Sequence, residues 1–156
     1  MQRLVIEYFQ FEQDFMEDNI RCIPMIVRFK LDACGVKLKL KEWIKMTVDE
    51  REQLALLPID SYGDLDVYKS YVQQLIHSHT GDDATLLPAS SNQMFWSSAD
   101  ALPSVLKEKL TESKMNISIA QWKNLSVLQR FALLKLTRPG HENKNFPKAM
   151  KEFGLI

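Results

Sequence analysis

The sequence has no apolar run long enough to cross a membrane. Its longest apolar runs, residues 22–27 and 54–59, hold six residues each, whereas a transmembrane helix needs roughly 20. The first 18 residues contain five acidic side chains, which the apolar region of a secretory signal would not tolerate. We therefore expect a protein without a membrane segment or an export signal, and predict a cytoplasmic location.

The sequence also has no excess of charge of either sign. It contains 20 Lys and Arg residues and 20 Asp and Glu residues, so its formal net charge is zero. A protein that binds nucleic acid normally has an excess of basic residues, because the release of counterions from phosphates provides much of its affinity. The densest basic stretch, Lys37–Lys41, is followed at once by Glu42. Nucleic acid is therefore not an expected partner.

Glycine and cysteine are scarce. The five glycines form no phosphate-binding loop of a recognised pattern. The two cysteines, Cys22 and Cys34, flank a helix predicted from Pro24, which would separate them by about 15 Å, beyond the roughly 7 Å limit between Cα atoms in a disulfide. We expect two free thiols, as in a reducing compartment.

The three histidines do not suggest a metal site. His77 and His79 lie two positions apart on a predicted helix, so their rings point in different directions, and they are expected near its C-terminal end, where they favour the helix dipole. We predict no catalytic set, no metal site and no cofactor. A small-molecule, metal or redox module that uses Cys22, Cys34 and the histidines remains an alternative.

An internal repeat is the most informative pattern. Residues 23–57 align with residues 102–136 at an offset of 79 without a gap, and eight of the 35 positions are identical. The identical pairs include Pro24 with Pro103, and Trp43 with Trp122. We interpret the two segments as copies of one supersecondary unit.

Each copy predicts the same order of elements. A proline in the first turn opens a helix, a short alternating stretch follows that is either a strand or the entry to a short helix carrying the tryptophan, and a capping box opens another helix. The boxes are Thr47-x-x-Glu50 and Ser126-x-x-Gln129. The predicted helices are 24–34, 48–57, 103–113 and 127–137, with the alternating stretches at 36–40 and 115–119.

The rest of the chain predicts a long helix between the copies and a short helix at the end. Apolar residues at helical spacing favour a helix over 64–79, turn-forming residues favour a loop over 80–101, and residues 147–153 form the last helix before Gly154. Residues 4–15 fit a strand or a helix. The expected fold is all-α: a compact helical bundle of two pseudo-symmetric repeats (about 23–57 and 102–136), with a possible minor β element, in a single domain, 1–156.

Two loops are candidates for binding a partner protein. The first places Met94, Phe95 and Trp96 inside a Ser-rich loop, and large apolar side chains of this kind are typical of interface centres; the alternative is a loop that packs on the core. The second loop follows the helix that ends near residue 137, and loops often carry function; the alternative is a helix cap and a turn. Its candidate residues are Arg138, His141, Glu142, Asn143, Lys144 and Asn145.

The sequence resembles the nitrate reductase-associated protein family over nearly its whole length. The resemblance lies in blocks such as Phe9-x-Phe-Glu-x-Asp-Phe15, the stretch 21–35, Trp43, His79-Thr-Gly81, Leu128–Leu136, Arg138-Pro-Gly-His-Glu-Asn143 and Glu152-Phe-Gly-Leu155. It implies a small cytoplasmic accessory protein that helps assimilatory nitrate reductase become or stay active, with the reductase or its molybdenum-cofactor insertion machinery as the partner. The family supplies no established catalytic residues. A DNA-binding regulator built from two helix-turn-helix units is a further alternative.

Overall fold

The chain is mostly helical, as predicted, in the computed structural model, which describes residues 8–12, 23–87, 100–138 and 144–156. It divides into two compact units, residues 1–93 and 94–156. A single folding domain stays a prediction. In the described part of the chain, no helix combines the length and the apolarity that crossing a membrane requires.

Residues 23–87 of the first unit form four helices and a small sheet. Its strands pair antiparallel, with Val36 opposite Leu86 and Lys37 opposite Thr85. The predicted minor β element is therefore present, although its second strand lies inside the stretch predicted as loop. The elements are α1 (Met25–Cys34), β1 (Val36–Lys37), α2 (Leu40–Lys45), α3 (Val48–Leu56), α4 (Tyr62–Thr80) and β2 (Thr85–Leu86).

In the described residues of the second unit, 100–138 and 144–156, the regular elements are helices. The predicted alternating stretch 115–119 forms no strand; a short helix that carries Trp122 begins at its last residue. The final helix begins one residue before its predicted start and is followed by Gly154 in the left-handed conformation, with φ of 72°. The elements are α5 (Ser104–Glu112), α6 (Ile119–Asn124), α7 (Val127–Leu136) and α8 (Phe146–Glu152).

Helix α1 begins and ends through identifiable local contacts. The fixed ring of Pro24 precedes its first turn, and the carbonyl of Pro24 accepts hydrogen bonds from Val27 and Arg28. The Glu12 carboxylate accepts a 2.6 Å bond from the backbone N–H of Met25, one of the donors that a helix start leaves unpaired. Gly35 ends the helix with φ of 77°, a conformation that side chains with a Cβ rarely adopt.

Both predicted capping boxes are present. Thr47 Oγ1 accepts a bond from the N–H of Glu50, and the Glu50 carboxylate accepts one from the N–H of Thr47. Ser126 and Gln129 form the same pair of bonds at the start of α7. These reciprocal bonds satisfy the free N–H groups of the first turn and set where α3 and α7 begin.

The two tryptophans lie in equivalent local arrangements. Trp43 is 1% exposed and Trp122 is 0% exposed. The guanidinium of Arg51 lies 5.8 Å from the centre of the Trp43 ring, and that of Arg130 lies 5.9 Å from the centre of the Trp122 ring, within the range of a cation–π contact. The order of helices also recurs at the offset of 79. A pseudo-symmetric relation between the two units stays a prediction.

The core of the first unit forms where α1, α2, α3 and α4 meet. Helix α4 exceeds its predicted range of 64–79 by two residues at its start and one at its end, and it buries one apolar side toward the core. The hydroxyl of Tyr68 on this side donates a 2.7 Å bond to the carbonyl of Leu54. The buried core residues are Val27, Leu31, Val36, Leu38, Trp43, Met46, Leu54, Ala55, Tyr68, Val72, Leu75 and Ile76.

Candidate functional site

Three of the residues predicted to bind a partner lie in the described part of the chain. Arg138, Lys144 and Asn145 flank the segment between α7 and α8. The remaining predicted residues, Met94, Phe95, Trp96, His141, Glu142 and Asn143, lie outside the described residues, as does Cys22.

Arg138 and Lys144 place positive charge on both sides of this segment. Arg138 follows the cap of α7 and its backbone N–H donates to the carbonyl of Lys135 at 3.4 Å. Lys144 precedes α8 by two residues, and both side chains are exposed. Exposed cations on both sides of a connecting segment form a polar surface that an anionic partner can contact.

Asn145 is the unusual member of the predicted site, because it is buried. Only 3% of its surface is exposed, and its side chain does not cap the helix that it precedes. Its Oδ1 is the sole buried side-chain polar atom of the described residues without a hydrogen-bond partner. A buried acceptor left without a donor costs about 1–3 kcal/mol.

Apolar and cationic contacts anchor the start of α8. Phe146, which follows Asn145, is fully buried. The ammonium of Lys109 on α5 lies 5.7 Å from the centre of its ring, close enough for a cation–π attraction. These contacts hold the backbone at Asn145 in a fixed position, so its Oδ1 stays buried.

Cys34 has the environment of a structural thiol. Its side chain is half-buried and donates a 3.4 Å hydrogen bond to the carbonyl of Leu31. Burial raises the pKa of this thiol to about 11. The reactive thiolate is therefore scarce at neutral pH, which disfavours Cys34 as a nucleophile or a redox centre.

The two histidines of α4 contact different acidic residues. His79 Nε2 lies 2.8 Å from an oxygen of Glu50, which also belongs to the capping box of α3. His77 Nδ1 lies 3.8 Å from an oxygen of Asp83, and both of those side chains are largely exposed. Among residues 8–12, 23–87, 100–138 and 144–156, no group of three or more His, Cys, Asp or Glu residues has the geometry of a metal site.

The Glu50→Gln variant tests the negative charge of Glu50, because the oxygen that accepts the Thr47 N–H is also the one that lies 2.8 Å from His79 Nε2. Burial raises the pKa of Glu50, but the bond from the Thr47 N–H and the contact with His79 together lower it below its ordinary value of 4.5. A glutamine should keep the capping box, as Gln129 does in the second unit. We expect the variant to lose ~0.5 kcal/mol of the free energy of unfolding at pH 7 because the pair is partly exposed.

The same variant should alter the pH dependence of unfolding. Because the pKa of Glu50 is lower in the folded state, its ionised form stabilises the fold above pH 4.5, and this contribution is lost as the pH falls through the lowered pKa. Denaturant titrations of both proteins should therefore converge below pH 4.5. A difference that persists unchanged in acid would show that another property of residue 50 is responsible.

An exposed apolar row on α2 and α3 was missed by the sequence prediction. Leu40, Ile44 and Val48 are 50%, 52% and 51% exposed. Exposed lysines flank this row, and we define the basic–apolar face as Leu40, Ile44, Val48, Lys37, Lys41 and Lys45. The only sequence signal was the alternation of lysine and leucine over 37–41, which suggested a strand as readily as a helix.

Comparison with known proteins gives one match. A family model described as "Conserved nitrate reductase-associated protein" matches residues 8–153, and this confirms the resemblance inferred from the sequence blocks. Neither the comparison with curated proteins nor the comparison with solved structures gave a match.

Proposed function

The chain belongs to the conserved nitrate reductase-associated protein family, and from this premise we propose that it is a non-catalytic accessory protein of assimilatory nitrate reductase. It acts by protein–protein binding, and its partner is the reductase or the machinery that inserts the molybdenum cofactor. The observation that carries the proposal is the family match over 8–153, since the family description names an association with that enzyme.

The described chemistry supports binding over catalysis. The thiol of Cys34 is held protonated by burial, and the imidazole of His79 is engaged with a carboxylate that caps a helix. Arg138 and Lys144 have exposed side chains on the two sides of the segment between α7 and α8. We propose that they belong to one contact surface with Met94, Phe95 and Trp96, which the sequence places in a predicted loop.

A reconstitution experiment tests this function. Cofactor-free nitrate reductase is mixed with the purified chain, the complex is measured by size-exclusion chromatography with light scattering, and reductase activity is followed after molybdenum cofactor is added. We expect a defined complex and faster or more complete activation. If neither complex nor activation is seen, the accessory function is contradicted.

Charge reversal of Arg138 and Lys144 is expected to weaken the complex. The double variant Arg138→Glu with Lys144→Glu should raise the dissociation constant about tenfold or more, because like charges would replace complementary ones at the contact. Lys151→Glu is the control, since Lys151 is an exposed lysine of α8 in the same unit. Unfolding curves of both variants should match the wild type; equal affinity of all three proteins would place the contact elsewhere.

The alternative function is a small-molecule, metal or redox module. It retains support only from residues outside the described part, such as Cys22 and His141, since the described Cys34 and His79 have structural partners. An absorption spectrum and a metal analysis of the chain purified from its native cells distinguish the two. A bound chromophore or a stoichiometric metal would favour the alternative.

A further inference from the structure

The basic–apolar face arises because α2 turns only two of its six side chains inward. Glu42 and Trp43 are 5% and 1% exposed, whereas Leu40 and Ile44, one turn apart, are half-exposed. The junction with α3 is held by Arg51, whose guanidinium donates to the carbonyls of Trp43 and Ile44 at 3.2 and 3.0 Å.

Because of these bonds, α3 begins beside the end of α2. Val48 is the first residue of α3, one turn before Arg51. Its side chain is half-exposed, as are those of Ile44 and Leu40, four and eight residues earlier in the chain. A fixed row of three aliphatic side chains is of the kind found at the centre of protein interfaces, where apolar groups are surrounded by polar ones.

The lysines give this row a positive border. Lys41 and Lys45 are exposed on α2, and Lys37 is exposed on β1. Within residues 23–87, none of these three lysines forms an ion pair. Their charge is therefore available to carboxylates of another molecule.

Along α2 and α3, exposed acidic side chains begin only after Val48. The nearest acidic side chain on α2, Glu42, is buried and accepts a bond from the backbone N–H of Lys39. The exposed Asp49 and Glu52 lie on α3, after Val48. The face is therefore positive along α2 and negative beyond Val48, which would orient an acidic segment lying along it.

The helix at the aligned position in the second unit, α6, forms without these lysines. At the aligned positions, α6 and α7 expose Ile119 and Val127, 47% and 40%. Yet the aligned residues around them are Asn116, Ala120 and Asn124 in place of the three lysines, and Lys123 in place of Ile44. The lysine border is thus specific to the first unit, while the buried tryptophan beneath is common to both.

We propose that the basic–apolar face docks an acidic, amphipathic segment of a partner protein. Apolar side chains of that segment lie on Leu40, Ile44 and Val48, and its carboxylates pair with Lys37, Lys41 and Lys45. This inference deepens the accessory function and rests on it, because it names the chemistry of the partner segment. The small apolar area favours a protein over a membrane, since a six-residue helix with two exposed aliphatic side chains offers little to insert into lipid.

Two probes test the docking surface. The first is a 20-residue synthetic helix with leucines at helical spacing and glutamates elsewhere, compared with a peptide in which lysines replace the glutamates. The second is cofactor-free nitrate reductase, with hydrogen–deuterium exchange of the chain measured in the mixture. We expect the acidic peptide to bind in a salt-sensitive manner, the basic peptide not to bind, and residues 37–48 to be protected by the reductase.

Matched variants locate the contact. Ile44→Lys introduces the residue found at the aligned position 123, so α2 should still fold, and Lys41→Glu with Lys45→Glu reverses the border. Lys41→Glu with Lys45→Glu should weaken binding of the acidic peptide about tenfold or more. Ile44→Lys should weaken it at high salt, where the added charge is screened and the lost apolar contact remains, whereas Lys123→Glu on α6 should change it less than about twofold. Unfolding curves show whether a variant is destabilised. If Ile44→Lys is destabilised, the binding result for Lys41→Glu with Lys45→Glu tests the face.

The remaining outcomes would overturn the proposal in distinct ways. Binding to phosphatidylserine vesicles but not to the peptide would make the face a membrane contact. A change in molar mass of the chain alone with Ile44→Lys would make it a contact between copies. A complex with the reductase in which residues 37–48 are not protected from exchange would contradict docking at the basic–apolar face. The accessory function would still be supported. Peptide binding without any reductase complex would support the face and contradict the accessory function with that enzyme.

Discussion

The Trp122→Ala variant is expected to lose about 3–5 kcal/mol of the free energy of unfolding. Trp122 is fully buried, so alanine leaves a cavity beneath the short helix α6. Arg130, itself only 7% exposed, would also lose the ring that its guanidinium contacts at 5.9 Å. The measurement is urea-induced unfolding followed by circular dichroism.

Two further variants control this prediction. Trp43→Ala should have an effect of the same size, because Trp43 has the same burial and the same arginine contact in the first unit. Tyr62→Ala removes a large aromatic side chain that is 89% exposed and should change stability by less than about 0.5 kcal/mol. A small effect of Trp122→Ala would mean that the core around α6 collapses to fill the space.

The Lys30→Met variant is expected to lose about 2–4 kcal/mol. Lys30 is 8% exposed, and its ammonium donates bonds of 2.8 and 2.6 Å to the carbonyls of Ala55 and Leu57. Helix α3 ends at Leu56, so these carbonyls belong to the end that a helix leaves unpaired and that favours positive charge. Methionine keeps most of the volume but leaves both acceptors without the lysine.

Lys109→Met is the matched control for Lys30→Met. Lys109 occupies the aligned position in the second unit, where its ammonium lies over the Phe146 ring at 5.7 Å. The cation–π contact itself contributes about 1 kcal/mol or less. If chemical unfolding shows no loss for Lys30→Met, the capping role of Lys30 is contradicted.

Local sequence signals predicted helix boundaries well where a short-range bond sets them. The boxes at Thr47 and Ser126 begin α3 and α7 because the bonds span three residues. The stretch 36–40 was ambiguous for a physical reason. Its alternation places Leu38 and Leu40 on one face of a strand, but the helix begins at Leu40, so Leu38 is 9% exposed and Leu40 is 50% exposed.

The candidate site depended still more on tertiary structure. Asn145 was predicted from its place in a polar loop, yet it is buried because the adjoining Phe146 enters the core of the second unit. The histidines were expected near the end of a helix and are there, but the partner of His79 is 29 residues away in sequence. No local pattern contains such a contact, since the packing of α3 and α4 brings it about.

Composition, the family blocks and the short-range caps were enough to determine a mostly helical chain, its family and most of its helix starts, because each depends on residues that are close in sequence. Only the tertiary structure decided which side of α2 faces solvent, which thiol and imidazole are engaged, and which amide oxygen is left without a donor. Burial of Trp43 sets the orientation of α2 about its own axis. In that orientation Leu40, Ile44 and the lysines of α2 face solvent.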